Sequence, residues 1–272
     1  MSKTIVTMTY RFPDKPTPDT PHSLHFLRRH RYGCALLSLL LLLLEPGIGS
    51  SEPRQQISAT SPGVLLSVGR LLVPGRRFEE GHQRHYRESC SATLLASADD
   101  KPASLILTAW HCLEHHTDLT DDITFAIRSL SGASLRRLAK PMSSGGGMRA
   151  DWALMRLQEP IPVAMARGAT LSRGGLPEPD SAVIMAGYSR DSGLGGAGKV
   201  LTFHRDCRVL AHSDNDIATD CLAYRGASGG AVFSANNDRL LGVISRGDSR
   251  ESSIFVPLSR IPERLKKGLA ND

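Results

Sequence analysis

The sequence predicts an all-β fold, and three observations carry that expectation. Aromatic residues make up only 5% of the 272-residue chain, Gly and Pro are plentiful at 25 and 16, and short apolar runs alternate with clusters of turn residues. With 40% of its residues hydrophobic, the chain is long enough to bury a sizeable core as one large or two small domains.

In chain order, the first element lies outside that core. Arg28, Arg29 and Arg31 precede an unbroken run of small or apolar residues from Gly33 to Leu44. Glu45-Pro46-Gly47-Ile48-Gly49-Ser50 then offers a helix stop and small residues for cleavage, the pattern of a secretory signal. The run is shorter than the roughly 20 residues a helix needs to cross a bilayer. Residues 1–50 are therefore expected to be a targeting segment, leaving no membrane contact in the mature form unless the signal is retained as an anchor. They hold six Lys/Arg and three Asp/Glu, so the remainder carries 27 basic against 24 acidic residues, a net +3. A nucleic-acid partner would call for a basic stripe or an interleaved aromatic set, and the remainder shows neither.

Ten runs then read as short strands: Val64–Val73, Ser91–Ala96, Ser104–Ala109, Ile123–Ser129, Trp152–Leu157, Ala182–Tyr188, Val200–Leu210, Ala231–Phe233, Leu240–Ser245 and Ile254–Val256. Turn residues such as Asp99-Asp100-Lys101-Pro102, Ser143–Gly147 and Ala235-Asn236-Asn237-Asp238 separate them. Gly168–Pro179 is rich in Gly and Pro and falls between two groups of strands, where a linker is expected. At the end, Ile261, Leu265 and Leu269 recur every four residues, with Lys266 and Lys267 where cations suit a helix dipole, so a C-terminal helix is expected.

Four cysteines remain after the targeting segment: Cys90, Cys112, Cys207 and Cys221. An even number behind a signal points to disulfides in an oxidising compartment, with a secreted or periplasmic location and three possible connectivities.

The chemistry is concentrated in three places. Leu107-Thr108-Ala109-Trp110-His111-Cys112 supplies an imidazole, Asp151 opens the apolar run Asp-Trp-Ala-Leu-Met-Arg-Leu, and Gly226-Ala227-Ser228-Gly229-Gly230 sets a hydroxyl among small residues. A serine hydroxyl is a weak nucleophile near neutral pH. To attack an amide it needs a base within hydrogen-bond reach and a third group holding that base in the useful tautomer. His111, Asp151 and Ser228 are the candidate base, orienting acid and nucleophile. The attacked carbonyl oxygen becomes an anion that must approach backbone N–H groups closely, which small residues permit; Gly226 and Ser228 are the candidate donors.

In the order His, Asp, Ser, with these flanking residues, the chain resembles the trypsin-like (chymotrypsin-fold) serine peptidases, especially their secreted bacterial branch. The resemblance spans most of residues 60–260 and is specific at the three catalytic motifs. It implies two packed antiparallel six-stranded β-barrels, an N-terminal one over residues 51–167 with His111 and Asp151, and a C-terminal one over residues 168–272 with Ser228 and the helix. It also implies the pairing Cys90–Cys112, leaving Cys207–Cys221. A serine endopeptidase acting through an acyl-enzyme on a protein or peptide substrate follows, with no cofactor, no metal and a monomeric state expected. The family pattern usually has Asp just before the nucleophile, where many members form an ion pair with a new N-terminus. This chain has Ala227 there, which argues against that mode of activation.

Three other motifs compete with this reading, two of them overlapping the same residues. Gly226–Gly230 also satisfies G-x-S-x-G, but that nucleophile elbow needs a later His, and no His follows Ser228. His111-Cys112-Leu113-Glu114-His115 matches the helical zinc signature H-x-x-E-H, the basis of an alternative zinc peptidase using His111 and His115. It follows a strand-like segment and leaves the Ser228 glycines without a purpose. Gly193–Lys199 resembles a phosphate-binding loop, yet Val200 replaces the hydroxyl that would ligate magnesium. A further alternative keeps the barrels but is catalytically silent and only binds.

For specificity, the resemblance implies a pocket walled by Leu222–Arg225 and by Ser245-Arg246-Gly247. Leu222, Ser245 and Gly247 are the candidate substrate contacts, the last two through backbone hydrogen bonds to an extended substrate. Leu222 gives a Lys or Arg side chain no counter-charge, so cleavage after basic residues is disfavoured.

Overall fold

The structure, a computed structural model, describes residues 52–97, 101–117, 121–213, 216–263 and 265. They belong to one compact unit, Ser51–Asp272. The expected signal lies outside the described residues, as does most of the expected C-terminal helix beyond residue 263.

Among the described residues the strands are β1 (Gln55–Gln56), β2 (Val68–Glu79), β3 (His82–Leu94), β4 (Ala103–Thr108), β5 (Ile123–Arg128), β6 (Ser134–Ser144), β7 (Ala153–Ile161), β8 (Ala182–Gly187), β9 (Thr202–His212), β10 (Ile217–Thr219), β11 (Ala231–Ser234), β12 (Leu240–Gly247) and β13 (Ser253–Pro257). β2-β3-β4-β7-β6-β5 closes into one antiparallel barrel. β8-β9-β10-β13-β12-β11 closes into a second through the pairings β8–β9 and β11–β8, while the short β1 adds to β9. The expected pair of six-stranded antiparallel barrels is present. Closure leaves few free strand edges, which matters for a chain with so many short strands.

Alternation along each strand fills the barrels. In β5, Ile123, Phe125 and Ile127 are buried while Arg128 is exposed. Phe125 lies against Gly69 of β2 so closely that a Cβ there would fall 2.4 Å from its ring. Val183, Met185, Val209, Ile217, Val232, Ile244 and Phe255 fill the second barrel. A larger cluster joins Leu94 and Leu107 of the first barrel to Phe203, Phe233 and Val243 of the second, so the barrels share a continuous apolar contact. Each such large side chain contributes about 1.5–3 kcal/mol by leaving water.

The disulfides Cys90–Cys112 and Cys207–Cys221 are formed, with sulfur separations of 2.01 and 2.07 Å. The first ties β3 to the turn after β4, and the second braces β9 against the segment leading to Ser228.

Where the strands differ from expectation, local polarity is the reason. Gly63–Ser67 forms a 3-10 turn where a strand was expected to start at Val64, because the Ser67 hydroxyl donates back to the Val64 carbonyl at 2.6 Å. β3 begins nine residues before Ser91, at His82, through a polar and mostly exposed stretch that pairs with the end of β2. β6 has Arg136 and Lys140 on its outer side and a half-buried Arg137 on the other, and it carries little apolar signal. β10 is only three residues long.

Candidate active site

The register Thr108↔Ala153 between β4 and β7 brings together two strand ends that are far apart in sequence. His111 lies just past β4, in the 3-10 turn Trp110–Cys112, and Asp151 lies just ahead of β7. Asp151 is completely buried. One of its oxygens accepts the His111 backbone N–H at 2.9 Å, and the other accepts His111 Nδ1–H at 2.8 Å. With Nδ1 holding its proton toward the carboxylate, the neutral ring leaves Nε2 free as a base. Burial pushes the Asp151 carboxyl up, but the hydrogen bonds from His111 and Ser245 outweigh it and hold the group below its usual range.

Ser245 does more than sequence reasoning assigned to it. Its hydroxyl donates to Asp151 Oδ2 at 2.5 Å, joining β12 of the second barrel to the acid of the first. Ser228 precedes β11, and its backbone lies against the His111–Cys112 turn, with its carbonyl 3.8 Å from Cys112 Sγ. Cys112 Sγ is in turn 4.0 Å from His111 Nε2. The Ser228 hydroxyl donates to the Ser245 carbonyl at 3.3 Å and not to the imidazole. Ser245 thus links the three residues, through its carbonyl to the Ser228 hydroxyl and through its own hydroxyl to the Asp151 carboxylate that holds His111, and the serine hydroxyl is turned toward β12.

Backbone geometry around Ser228 is set by contacts that leave two donors free. Arg190 N–H donates to the Arg225 carbonyl at 2.6 Å and Gly230 N–H to the Ala227 carbonyl at 2.9 Å. In a trans peptide the N–H points opposite to its carbonyl. The N–H groups of Gly226 and Ser228 are therefore directed away from these partners, and neither has an acceptor among the described residues. Gly226 has φ +96°, and a Cβ on it would lie 2.6 Å from the Tyr188 carbonyl.

Ser91, which sequence reasoning did not single out, secures this loop. It is fully buried in β3; its N–H donates to the Ser228 carbonyl and its hydroxyl to the Gly226 carbonyl, both at 2.8 Å, and the hydroxyl also accepts Tyr188 N–H at 2.8 Å. Only a small residue with a two-way hydroxyl fits, and one Ser among the chain's many carries no local signal of that.

The two expected pocket walls meet: a Cβ on Gly247 would stand 3.2 Å from the Ala223 carbonyl and 2.6 Å from Ser253 Oγ. Leu222 is half-buried, and its N–H donates to Nδ1 of His204 at 3.1 Å, a ring whose pKa is pushed down by burial. Ser253 and His204 at these walls were not anticipated.

The helix required by H-x-x-E-H does not form, because the chain turns from Leu113 to His115. His115 packs edge-on toward Tyr86, and among the described residues no trio of close candidate ligands includes it. The trio Cys90, His111 and Cys112 has both sulfurs in a disulfide. Gly193–Lys199 is a series of turns leading into β9, without the helix a phosphate would need. Among the described residues no helix is long and apolar enough to cross a membrane.

The sequence model of the trypsin-like peptidase domain matches residues 90–243, more than half of the chain. Among solved structures the fold is similar to the HtrA-type protease AlgW with a decapeptide, at 17% identity and a TM-score of 0.56. That likeness covers 75% of this chain and 64% of the other, so the chain spans just under two thirds of that protein's length. None of the curated proteins compared with this chain matches it.

Proposed function

The chain belongs to the trypsin-like serine peptidase family, and from that premise we propose that it is a secreted or periplasmic endopeptidase working through His111, Asp151 and Ser228. The observation that carries this reading is the 2.8 Å bond from His111 Nδ1 to the buried Asp151 carboxylate, beside the turn against which the Ser228 backbone lies. Rotation of the Ser228 hydroxyl from the Ser245 carbonyl to His111 Nε2 completes the proton path. The proton passes to Nε2 as Oγ bonds to the substrate carbonyl carbon, and the N–H groups of Gly226 and Ser228 hold the resulting oxyanion. His111 then protonates the leaving amine as the C–N bond breaks, leaving an acyl-enzyme. A water activated by His111 releases the acid.

On this reading the substrate is a protein or peptide, taken along Ser245 and Gly247 with Leu222 at the pocket, and no cofactor or metal takes part. Residues 1–50 act as a removable signal, residues 51–167 and 168–272 form the two barrel domains, and the mature chain is a monomer. The two disulfides support an oxidising compartment.

The orientation of Ser228 toward Ser245 favours a second reading, a catalytically silent binding protein on the same fold. A serine-directed phosphonate decides between them. Covalent labelling that disappears in Ser228→Ala supports the peptidase; well-folded protein that takes no label sinks it.

A further inference from the structure

Beside the Ser228 loop lies a cavity of about 360 Å³ lined by Arg190, Asp191, Tyr224, Arg225 and Ser249. Its charge is governed by Arg54, near the start of the described chain, whose side chain is only 2% exposed. Nε and Nη2 of Arg54 each donate to a Glu52 carboxylate oxygen at 2.8 Å, and Nη1 donates to Asp191 Oδ1 at 2.9 Å. The guanidinium also lies over the Tyr224 ring, 3.8 Å from its centre. The second Asp191 oxygen accepts Gly195 N–H at 3.0 Å. Both oxygens of the one carboxylate lining the cavity are therefore engaged.

The remaining charges at the cavity are positive. Arg190 and Arg225 are exposed, and among the described residues neither has a carboxylate partner. The 2.6 Å bond from Arg190 N–H to the Arg225 carbonyl keeps the two residues side by side. The Arg190 stem also covers Gly226, with Cγ 2.7 Å from where a Cβ would stand. Two adjacent guanidiniums raise the local potential, and a carboxylate is the group they take with matched geometry.

We propose that this cavity is a subsite for an acidic side chain, Asp or Glu, carried by the peptide substrate close to the bond that is cut, and that Arg54 is the positioning residue that creates it. By holding Asp191 Oδ1 while Gly195 N–H holds Oδ2, Arg54 keeps that carboxylate from turning to Arg190 or Arg225; although Glu52 shares the same guanidinium, the five charged groups still sum to +1. This rests on the peptidase reading for its substrate.

The test digests a mixed peptide library and reads the residues around each cut by mass spectrometry. Asp and Glu should be enriched about fivefold at one position near the cut, less so at high salt, and the enrichment should vanish in the double variant Arg190→Gln/Arg225→Gln. Arg54→Gln should weaken it and Arg54→Lys restore part of it. Flat profiles, or enrichment intact in the double variant, overturn the proposal. A second measurement avoids turnover: Ser228→Ala protein should retain a random acetylated octapeptide pool with one fixed Glu better than the matched Gln pool, and equal retention overturns the subsite. Phosphonate labelling in parallel reports on the peptidase alone. Labelling without acidic preference defeats only the subsite, and absent labelling defeats the peptidase while the binding comparison still decides the subsite.

Discussion

The Ser91 hydroxyl donates to the Gly226 carbonyl across 2.8 Å, so a strand of the first barrel holds the loop that presents Ser228 in the second. The same hydroxyl accepts Tyr188 N–H, which makes Ser91 a fixed point between β3, the end of β8 and the nucleophile loop. Ser91→Ala leaves the Tyr188 N–H and the Gly226 carbonyl unpaired. We expect a loss of about 1–3 kcal/mol in denaturant unfolding and a fall in kcat larger than the change in KM. A variant with unchanged stability and kcat would contradict this.

Asp151→Asn keeps the shape of the buried site but can turn an N–H toward His111, reversing the preferred tautomer. On an amide substrate kcat should drop by roughly four orders of magnitude with the fold retained, the size expected when the orienting carboxylate of such a triad is lost. A fall below tenfold, with circular dichroism unchanged, would remove Asp151 from the mechanism.

Acid should destabilise the protein through the same residue. The Asp151 carboxyl is held below its ordinary range, so the unfolded chain binds its proton at a higher pH than the folded one. Its stabilising contribution is present above the unfolded carboxylate pKa of about 4 and is lost as pH falls through the depressed folded value. Urea titrations between neutral pH and pH 3 should show stability declining through that window, and Asp151→Asn should flatten the decline.

The two disulfides should separate by what they touch. Their 22- and 14-residue separations each correspond to about 3 kcal/mol of restricted unfolded-chain entropy. Cys207→Ser/Cys221→Ser should therefore lower Tm while leaving phosphonate labelling of Ser228 measurable below the new midpoint. Cys90→Ser/Cys112→Ser should lower Tm and slow labelling as well, because Cys112 adjoins His111 and touches the Ser228 carbonyl.

Much of the fold was legible because apolar strands declare themselves. The runs Ile123–Ser129 and Leu240–Ser245 pointed to the strands found at Ile123–Arg128 and Leu240–Gly247, and His111, Asp151 and Ser228 stood out as candidates by their unusual neighbours. His82–Glu88 and Ser134–Ser144 were not: they are strands only because a partner strand satisfies their backbone groups, and their exposed side chains leave no apolar alternation to read. Ser245 was expected to act through its backbone, and no local pattern could foretell that its hydroxyl reaches Asp151, a residue 94 positions away.

Composition and motif order by themselves determined the all-β class and the three residues on which the chemistry is proposed to turn, because residue type and immediate neighbours express both. Tertiary structure alone decided that Ser91 and Ser245 bridge the barrels, that Arg54 closes on Asp191 and Tyr224, and that the Ser228 hydroxyl rests on Ser245. The reason is physical: these are hydrogen bonds and stacking contacts between small or charged side chains whose partners become neighbours only when two barrels close and pack.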